Sequence, residues 1–154
     1  MGDRGNIVVF NSDEAGLNGD DRQDGAIFLY THWGGTDMAG VLTTALKKEW
    51  RWDDTSYLTR IIYDELVGDN AGCETGYGIA TYAPDNEHPY LVVDTATQSV
   101  YVIEGNELVG TTADIRARCL ASLCKERQSA GAAVPFRAAV DGTMLDALRA
   151  LGFQ

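Results

Sequence analysis

A short apolar run that ends in two adjacent glycines, followed at once by a helical pattern, constrains this chain most. Residues 26–31 are apolar and aromatic, and the next four positions are His32, Trp33, Gly34 and Gly35. A strand that is apolar on both faces is typical of the interior of a sheet. Two glycines favour a tight turn, because a residue without a Cβ tolerates close backbone approach. The segment predicts an interior strand that turns directly into a helix.

Two sequence patterns that predict helices follow these glycines. The first has apolar residues at helical spacing from Met38 to Leu46, and Thr36 is predicted to cap it. The second has a capping residue at Asp54 and a stop at Gly68. We expect both helices to pack against one face of the sheet.

Strand patterns occupy much of the remaining chain. They cover residues 6–10, 77–82, 90–94 and 100–103, and turn residues separate them. A long exposed connection is predicted for residues 11–25. Antiparallel hairpins with segregated helices define the α+β class. We therefore predict a single α+β domain over residues 1–154, with a mainly antiparallel sheet and a core within residues 1–104.

Residues 105–154 are predicted to form an α-rich C-terminal tail. A helix is expected over residues 114–127, a strand over residues 134–140, and a last helix after a cap at Thr143. We see no composition change that would separate this tail as a second domain.

The charge of the chain limits its partners. Its 154 residues carry a formal charge of −11, and ten acidic residues but no Lys or Arg fall between residues 61 and 115. Such an acidic protein repels phosphate backbones, so direct nucleic-acid binding is not expected. No apolar run approaches the roughly 20 residues of a membrane span. Three unpatterned cysteines are typical of a reducing compartment, and we predict a cytoplasmic protein.

Four spaced motifs resemble a known family. They are Tyr30-Thr31-His32-Trp33-Gly34-Gly35, Arg51-Trp52-Asp53-Asp54, Glu74-Thr75-Gly76-Tyr77-Gly78-Ile79 and Asp85-Asn86-Glu87-His88-Pro89. Together they resemble an uncharacterised family of small proteins encoded mainly by tailed phages and by actinobacterial or archaeal genomes. The resemblance covers about residues 6–103 and implies a cytoplasmic, phage-derived accessory protein. It supplies no catalytic residues.

Polar motifs at the ends of the predicted strands form a candidate ligand site. Backbone N–H groups at a glycine turn before a helix favour anions, and Trp33 could stack on a base or sugar. We expect these motifs to lie along one rim of the sheet. The predicted ligand-binding residues are His32, Trp33, Gly34, Gly35, Thr36, Glu74, Asp85, Glu87 and His88. The alternative is that each motif is only a turn serving its own backbone.

The two histidines of the chain allow a second hypothesis. His32 and His88 both lie at predicted strand ends next to turns, and nearby carboxylates could complete a metal site. The alternative function is therefore a metal-dependent hydrolase that uses His32 and His88. Their spacing matches no known ligand motif, so we predict no metal and no cofactor.

A cluster of aromatic and basic residues is a candidate partner site. It contains Trp50, Arg51, Trp52 and Arg60, around the junction of the two predicted helices. Trp and Arg are the residue types that most often anchor protein interfaces. The alternative is that Trp52 packs the junction and Arg51 pairs with a neighbouring aspartate. No recognisable catalytic set accompanies these clusters, and we predict a non-catalytic protein that binds a small anionic molecule or a protein partner.

Overall fold

The computed structural model describes residues 2–15, 25–108 and 113–153, and residues 16–24 of the predicted connection lie outside this description. The described chain has six strands and five helices. The strands are β1 Gly5–Phe10, β2 Ile27–Thr31, β3 Tyr77–Ala80, β4 Tyr90–Asp94, β5 Ser99–Ile103 and β6 Val134–Pro135. The helices are α1 Met38–Lys47, α2 Thr55–Val67, α3 Ala113–Ser129, α4 Arg137–Asp141 and α5 Met144–Ala150.

The strands form one mostly antiparallel sheet in the order β3-β2-β1-β4-β5-β6. Only the pairing of β1 with β4 is parallel among the described strands, with Ile7 opposite Leu91. The strand over Ile27–Thr31 lies between β1 and β3, which confirms the predicted interior position. The α+β class and the mainly antiparallel sheet are confirmed.

The topology gathers several chain segments at one end of the strands. Thr31 at the end of β2 pairs with Gly5 and Tyr77, which begin β1 and β3. Tyr90 at the start of β4 pairs with Ile103 at the end of β5. We call this line of strand ends the rim. Strand pairing therefore brings together segments as distant in the chain as Gly5 and Ile103.

The predicted central helices pack on one face of the sheet. Leu42 of α1 and Leu58 of α2 are fully buried in the same cluster as Ile7, Leu29 and Leu91. The opposite face is covered by α3, whose Leu120 and Cys124 pack with the cluster of Val8, Phe28 and Tyr101. The central strands are thus buried on both faces, which explains their continuous apolar pattern.

The C-terminal tail is helical, as predicted, and it completes the core. Phe136 and Phe153 are each 1% exposed, in the cluster that holds α1 and α2. The predicted strand over residues 134–140 is wrong beyond its first two positions, because α4 begins at Arg137. Pro135 has no N–H with which to continue a ladder, and alanines that favour helix follow it.

The helix boundaries test the predicted caps. The Asp54 carboxylate accepts a hydrogen bond from the Tyr57 N–H at 3.1 Å, and the end at Gly68 has φ of 54°. Both predictions are confirmed. The predicted cap at Thr36 is wrong, because α1 begins at Met38 after a 3-10 turn over Gly35–Asp37. The reason is that Thr36 bonds a distant residue, Asp3.

Candidate functional site

The rim brings most of the predicted ligand-binding residues to one place, around the N-terminal residues Asp3 and Arg4. The Asp3 N–H donates to the carbonyl of His32 at 2.7 Å, the Glu87 N–H donates to the Arg4 carbonyl at 2.9 Å, and the Arg4 N–H donates to the Glu87 carboxylate at 3.3 Å. Sequence reasoning missed Asp3 and Arg4. The only signal was their position directly before the buried strand β1, which carries them into the rim.

The carboxylate of Asp3 lies at the start of the helical segment and accepts hydrogen bonds there. Its Oδ2 accepts hydrogen bonds from the Thr36 N–H at 2.9 Å and the Thr36 hydroxyl at 2.8 Å. Its Oδ1 contacts the Nε2 of His88. The hydrogen bond with His88 and then that from the Thr36 N–H lower the pKa of Asp3 from 3.8 to about 2. Asp3 is therefore ionised at neutral pH and occupies the place predicted for an anion.

The backbone donors of the glycine turn, residues 34–37, are all used within the chain. The Gly34 N–H donates to the Thr31 hydroxyl at 3.1 Å, and the Gly35 N–H to the Asp3 carbonyl at 2.7 Å. The Asp37 N–H donates to the Gly34 carbonyl at 3.0 Å. With Thr36 bound to Asp3, an external anion at this turn would have to displace an internal acceptor.

Close packing explains why Gly35 is a glycine. A Cβ at this position would lie 2.5 Å from the Cδ2 of His88 and 2.8 Å from the carbonyl oxygen of Asp3. Those distances are far inside van der Waals contact. The His88 ring also packs against Phe153, with the ring centroids 6.0 Å apart. His88 is therefore enclosed by the turn, by Asp3 and by the end of the tail.

The turn that carries Asp85 and Glu87 is fixed to the N-terminus by charge and hydrogen bonds. The Arg4 guanidinium lies 3.7 Å from a carboxylate oxygen of each acid. The side-chain amide of Asn6 donates to the Asp85 carbonyl at 3.3 Å and to the Asn86 Oδ1 at 3.2 Å. Within the described chain these polar residues thus have structural partners.

His32 and Trp33 form the more open part of the rim. The Tyr30 hydroxyl lies 2.9 Å from His32 Nδ1, and the His32 and Trp33 rings meet edge to face at 4.8 Å. The Trp33 side chain covers Gly76, where a Cβ would lie 2.7 Å from Cζ3, yet the residue is 58% exposed. A cleft of about 370 Å³ is lined by Tyr30, His32, Trp33, Thr75, Gly76 and Tyr77. Glu74 is exposed in the segment leading to this cleft.

The described residues offer no metal centre. In residues 2–15, 25–108 and 113–153, no group of three His, Cys, Asp or Glu side chains could hold an ion. His88 instead contacts the carboxylate of Asp3, and His32 the hydroxyl of Tyr30. The two histidines thus serve different local networks.

The second candidate site is the corner, residues 48–54, between α1 and α2. Two residues here have left-handed backbone without being glycine: Glu49 has φ of 59° and Arg51 has φ of 57°. Between them the Trp50 side chain is 57% exposed, with the Lys48 ammonium 5.2 Å from its ring centroid. Such backbone costs about 1–3 kcal/mol per residue and is kept only where the surroundings enforce it.

Trp52 holds the backbone of this corner in place through contacts with the core. Its indole N–H donates to the Leu46 carbonyl at 3.1 Å, and its ring meets Phe136 at 5.7 Å. The Arg137 guanidinium covers the ring at 5.5 Å and pairs with Glu49 at 3.0 Å. Trp52 therefore packs the junction rather than a partner, the alternative weighed from the sequence.

The remaining corner residues lie at the surface. The Arg51 guanidinium stacks on the Tyr57 ring at 4.5 Å and makes no ion pair with Asp53 or Asp54 in the described chain. Tyr57 is 50% exposed, and Arg60 pairs with Asp64 one turn along α2. We call Trp50, Arg51, Tyr57 and Arg60 the corner patch.

Comparison with known protein-family models, with curated proteins and with solved structures found no match to this chain. None of the described helices combines the length and the apolar character that crossing a bilayer demands. The resemblance to phage-encoded proteins therefore stays a prediction.

Proposed function

We propose that this chain is a non-catalytic protein-binding domain that contacts its partner through the corner patch. The observation that carries this proposal is the exposed Trp50, which lies between the left-handed residues Glu49 and Arg51. Strained backbone clusters at functional sites, where the surrounding structure holds it in place. Trp50 lies next to Arg51, which is exposed and stacks on the half-exposed Tyr57, and grouped exposure rather than a single exposed residue marks interaction sites.

The composition of the patch supports a protein rather than a small molecule as partner. Trp50 is 57% exposed, whereas small molecules bind in concave sites that enclose most of their surface. Trp, Tyr and Arg are the side chains that carry most of the energy in protein interfaces. Arg51 stacked on Tyr57 is held in place before binding, so little of its rotamer entropy remains to be lost.

The rim supports the same choice. Its turn uses its N–H donors on Thr31, Asp3 and Gly34, so a small anion would have to compete with bonds inside the chain. The hydrolase hypothesis finds no set of three ligands among the described residues. The patch defines the chemistry of the partner. The partner should have a pocket that accepts the indole ring of Trp50, bordered by carboxylates that pair with Arg51 and Arg60.

A photo-crosslinking experiment tests this proposal. A photoreactive phenylalanine analogue placed at position 50, in cells that make the protein, should capture one partner, and the same analogue at Leu151 should not. Leu151 is the matched control because it is an exposed apolar residue directly after the end of α5. The captured protein is then purified and titrated against the unlabelled chain.

We expect Trp50→Ala to weaken that purified complex at least tenfold, which is about 1.4 kcal/mol, with Leu151→Ala unchanged. Equal affinity of the two variants for the captured protein, or capture from position 151 alone, would contradict the proposal. Circular dichroism and thermal unfolding of Trp50→Ala check that the fold is retained.

A further inference from the structure

In the described part of the chain β3 is an edge strand with no neighbour on its outer side, and we call it the open edge. The His32 N–H donates to the Gly76 carbonyl at 2.9 Å, and Tyr30 lies opposite Gly78 in the same antiparallel ladder. Alternate residues of an antiparallel strand direct their backbone groups to opposite sides. The N–H and C=O groups of Tyr77 and Ile79 therefore point away from β2. Apart from the strand ladder itself, no hydrogen bond to the backbone groups of these two residues is found among the described residues.

The opposite edge of the sheet differs from β3. β6 has two residues, and one of them is Pro135, which has no N–H to offer. Proline and very short strands are devices that prevent edge pairing. β3 has four residues with neither proline nor a charged side chain, and its Ile79 is 60% exposed. Tyr82, three positions later, is equally exposed.

A cavity lies directly beside this open edge. It has a volume of about 340 Å³, and its walls include Tyr63, Asp64, Val67, Asn70 and Tyr77. Tyr77 packs on the face of the sheet that carries α1 and α2, and Ile79 lies on that face because it pairs with Leu29. A strand added to β3 would direct every second side chain toward the same face. One of these side chains would enter the cavity.

The negative charge around the open edge favours a basic ligand. No Lys or Arg occurs between residues 61 and 115, and Asp64 lies in the cavity wall with Asp69 and Glu74 in the loop that follows. The present partner of Asp64 is Arg60, and both side chains are more than half exposed. An exposed pair of this kind is easily exchanged for another.

We propose that β3 is a strand-addition site for an extended, basic segment of a partner protein. The segment pairs with the backbone of Tyr77 and Ile79, and a Lys or Arg side chain occupies the cavity with its charge at Asp64. Backbone bonds give such a complex its affinity, and the alternate side chain gives it selectivity. This inference rests on the open edge and not on the corner patch.

Peptide selection and hydrogen exchange test it. Ten-residue peptides are selected on the protein from a random display library, and the best binder is synthesised. We expect enrichment of sequences that alternate apolar residues with Lys or Arg. In the free protein the N–H groups of Tyr77 and Ile79 should exchange rapidly, and the peptide should slow both at least tenfold.

Three variants assign the contacts. Asp64→Asn should weaken peptide binding several-fold, while Asp141→Asn, an exposed acid at the end of α4, should not. Ile79→Pro removes an outward N–H together with the exposed Ile side chain and should abolish binding. Trp50→Ala should leave binding unchanged, so failure of the corner proposal is distinguished from failure of this one.

The opposite results would overturn the inference. Selection without a basic alternating pattern, or a bound peptide that leaves both amides unprotected, excludes strand addition at β3. Protection that depends on protein concentration without peptide would assign the edge to a second copy of the chain instead. Retained peptide binding by a folded Ile79→Pro variant would also exclude the site.

Discussion

The carboxylate of Asp3 joins His88 to the start of the first helical segment, although His88 lies 85 positions further along the chain. The contact fixes three segments relative to one another: the N-terminus, the glycine turn and the turn before β4. Because the carboxylate is shared between an imidazole and the Thr36 donors, its removal affects all three segments together.

Asp3→Asn should change how stability depends on pH. The pKa of Asp3 is about 2 in the folded protein and 3.8 as the reference value, so folding favours the ionised form. Its stabilisation is complete above pH 3.8 and is lost as the pH falls toward about 2. Urea unfolding should therefore show that Asp3→Asn is less stable than the parent at pH 6, and that the difference shrinks between pH 4 and 2. Asp37→Asn, whose carboxylate caps no helix, is the control and should follow the parent.

Gly35→Ala should destabilise the protein by about 1–3 kcal/mol, the usual cost of overpacking. The added Cβ would meet His88 and the Asp3 carbonyl. Gly40→Ala is the matched change, because Gly40 lies within α1 and a Cβ there meets nothing within 4 Å. It should stabilise the helix by about 0.5–1 kcal/mol. Chemical unfolding of both variants measures the contrast, and equal effects would show that the rim repacks freely.

The two tryptophans of the corner should respond differently to truncation. Trp52→Ala removes a hydrogen bond to Leu46 and a contact with Phe136, and should cost about 3 kcal/mol. Trp50→Ala should stay within about 0.5 kcal/mol of the parent, because an exposed side chain loses little on removal. Thermal and urea unfolding give both values. A large loss for Trp50→Ala would mean that this residue stabilises the fold, and would weaken its assignment to a partner.

Phe136→Ala tests whether the C-terminal tail belongs to the core. Phe136 is 1% exposed and lies against Trp52, so its truncation should cost about 3–5 kcal/mol. Leu151→Ala, at an exposed position of the same tail, should cost little. A single cooperative transition with a lowered midpoint is expected for Phe136→Ala. Loss of only the tail, with the rest unchanged, would show two independent units.

The sequence predicted those features that depend on near neighbours. The interior strand, the two central helices and the Asp54 cap follow from periodicity or from residues three positions apart. Pattern also placed the motifs at strand ends, and strand pairing then brings those ends to one edge. The sequence predicted which residues lie at the rim, but it did not predict the contacts that these residues make.

The features that were missed depend on distant contacts. Thr36 has the chemistry of a cap, but Asp3 competes for it, and nothing near residue 36 signals that competition. An apolar run such as residues 134–140 fits a strand or a buried helix equally well, and packing against α1 selects the helix. Trp50 and Trp52 are two positions apart, yet Trp50 is exposed and Trp52 packs against Phe136, and the left-handed residue Arg51 lies between them.

The parallel pairing of β1 with β4 has a consequence for synthesis of the chain. Ile7 pairs with Leu91, so the inner edge of β1 has no native partner until about ninety residues have left the ribosome. Pairing over such a separation is slow, because a large loop must close before any contact forms. During this interval a strand with four consecutive apolar residues, Ile7 to Phe10, presents an unpaired edge, the kind of surface that aggregates and that chaperones protect. Translation speed across residues 11–89 should therefore influence the yield of folded protein.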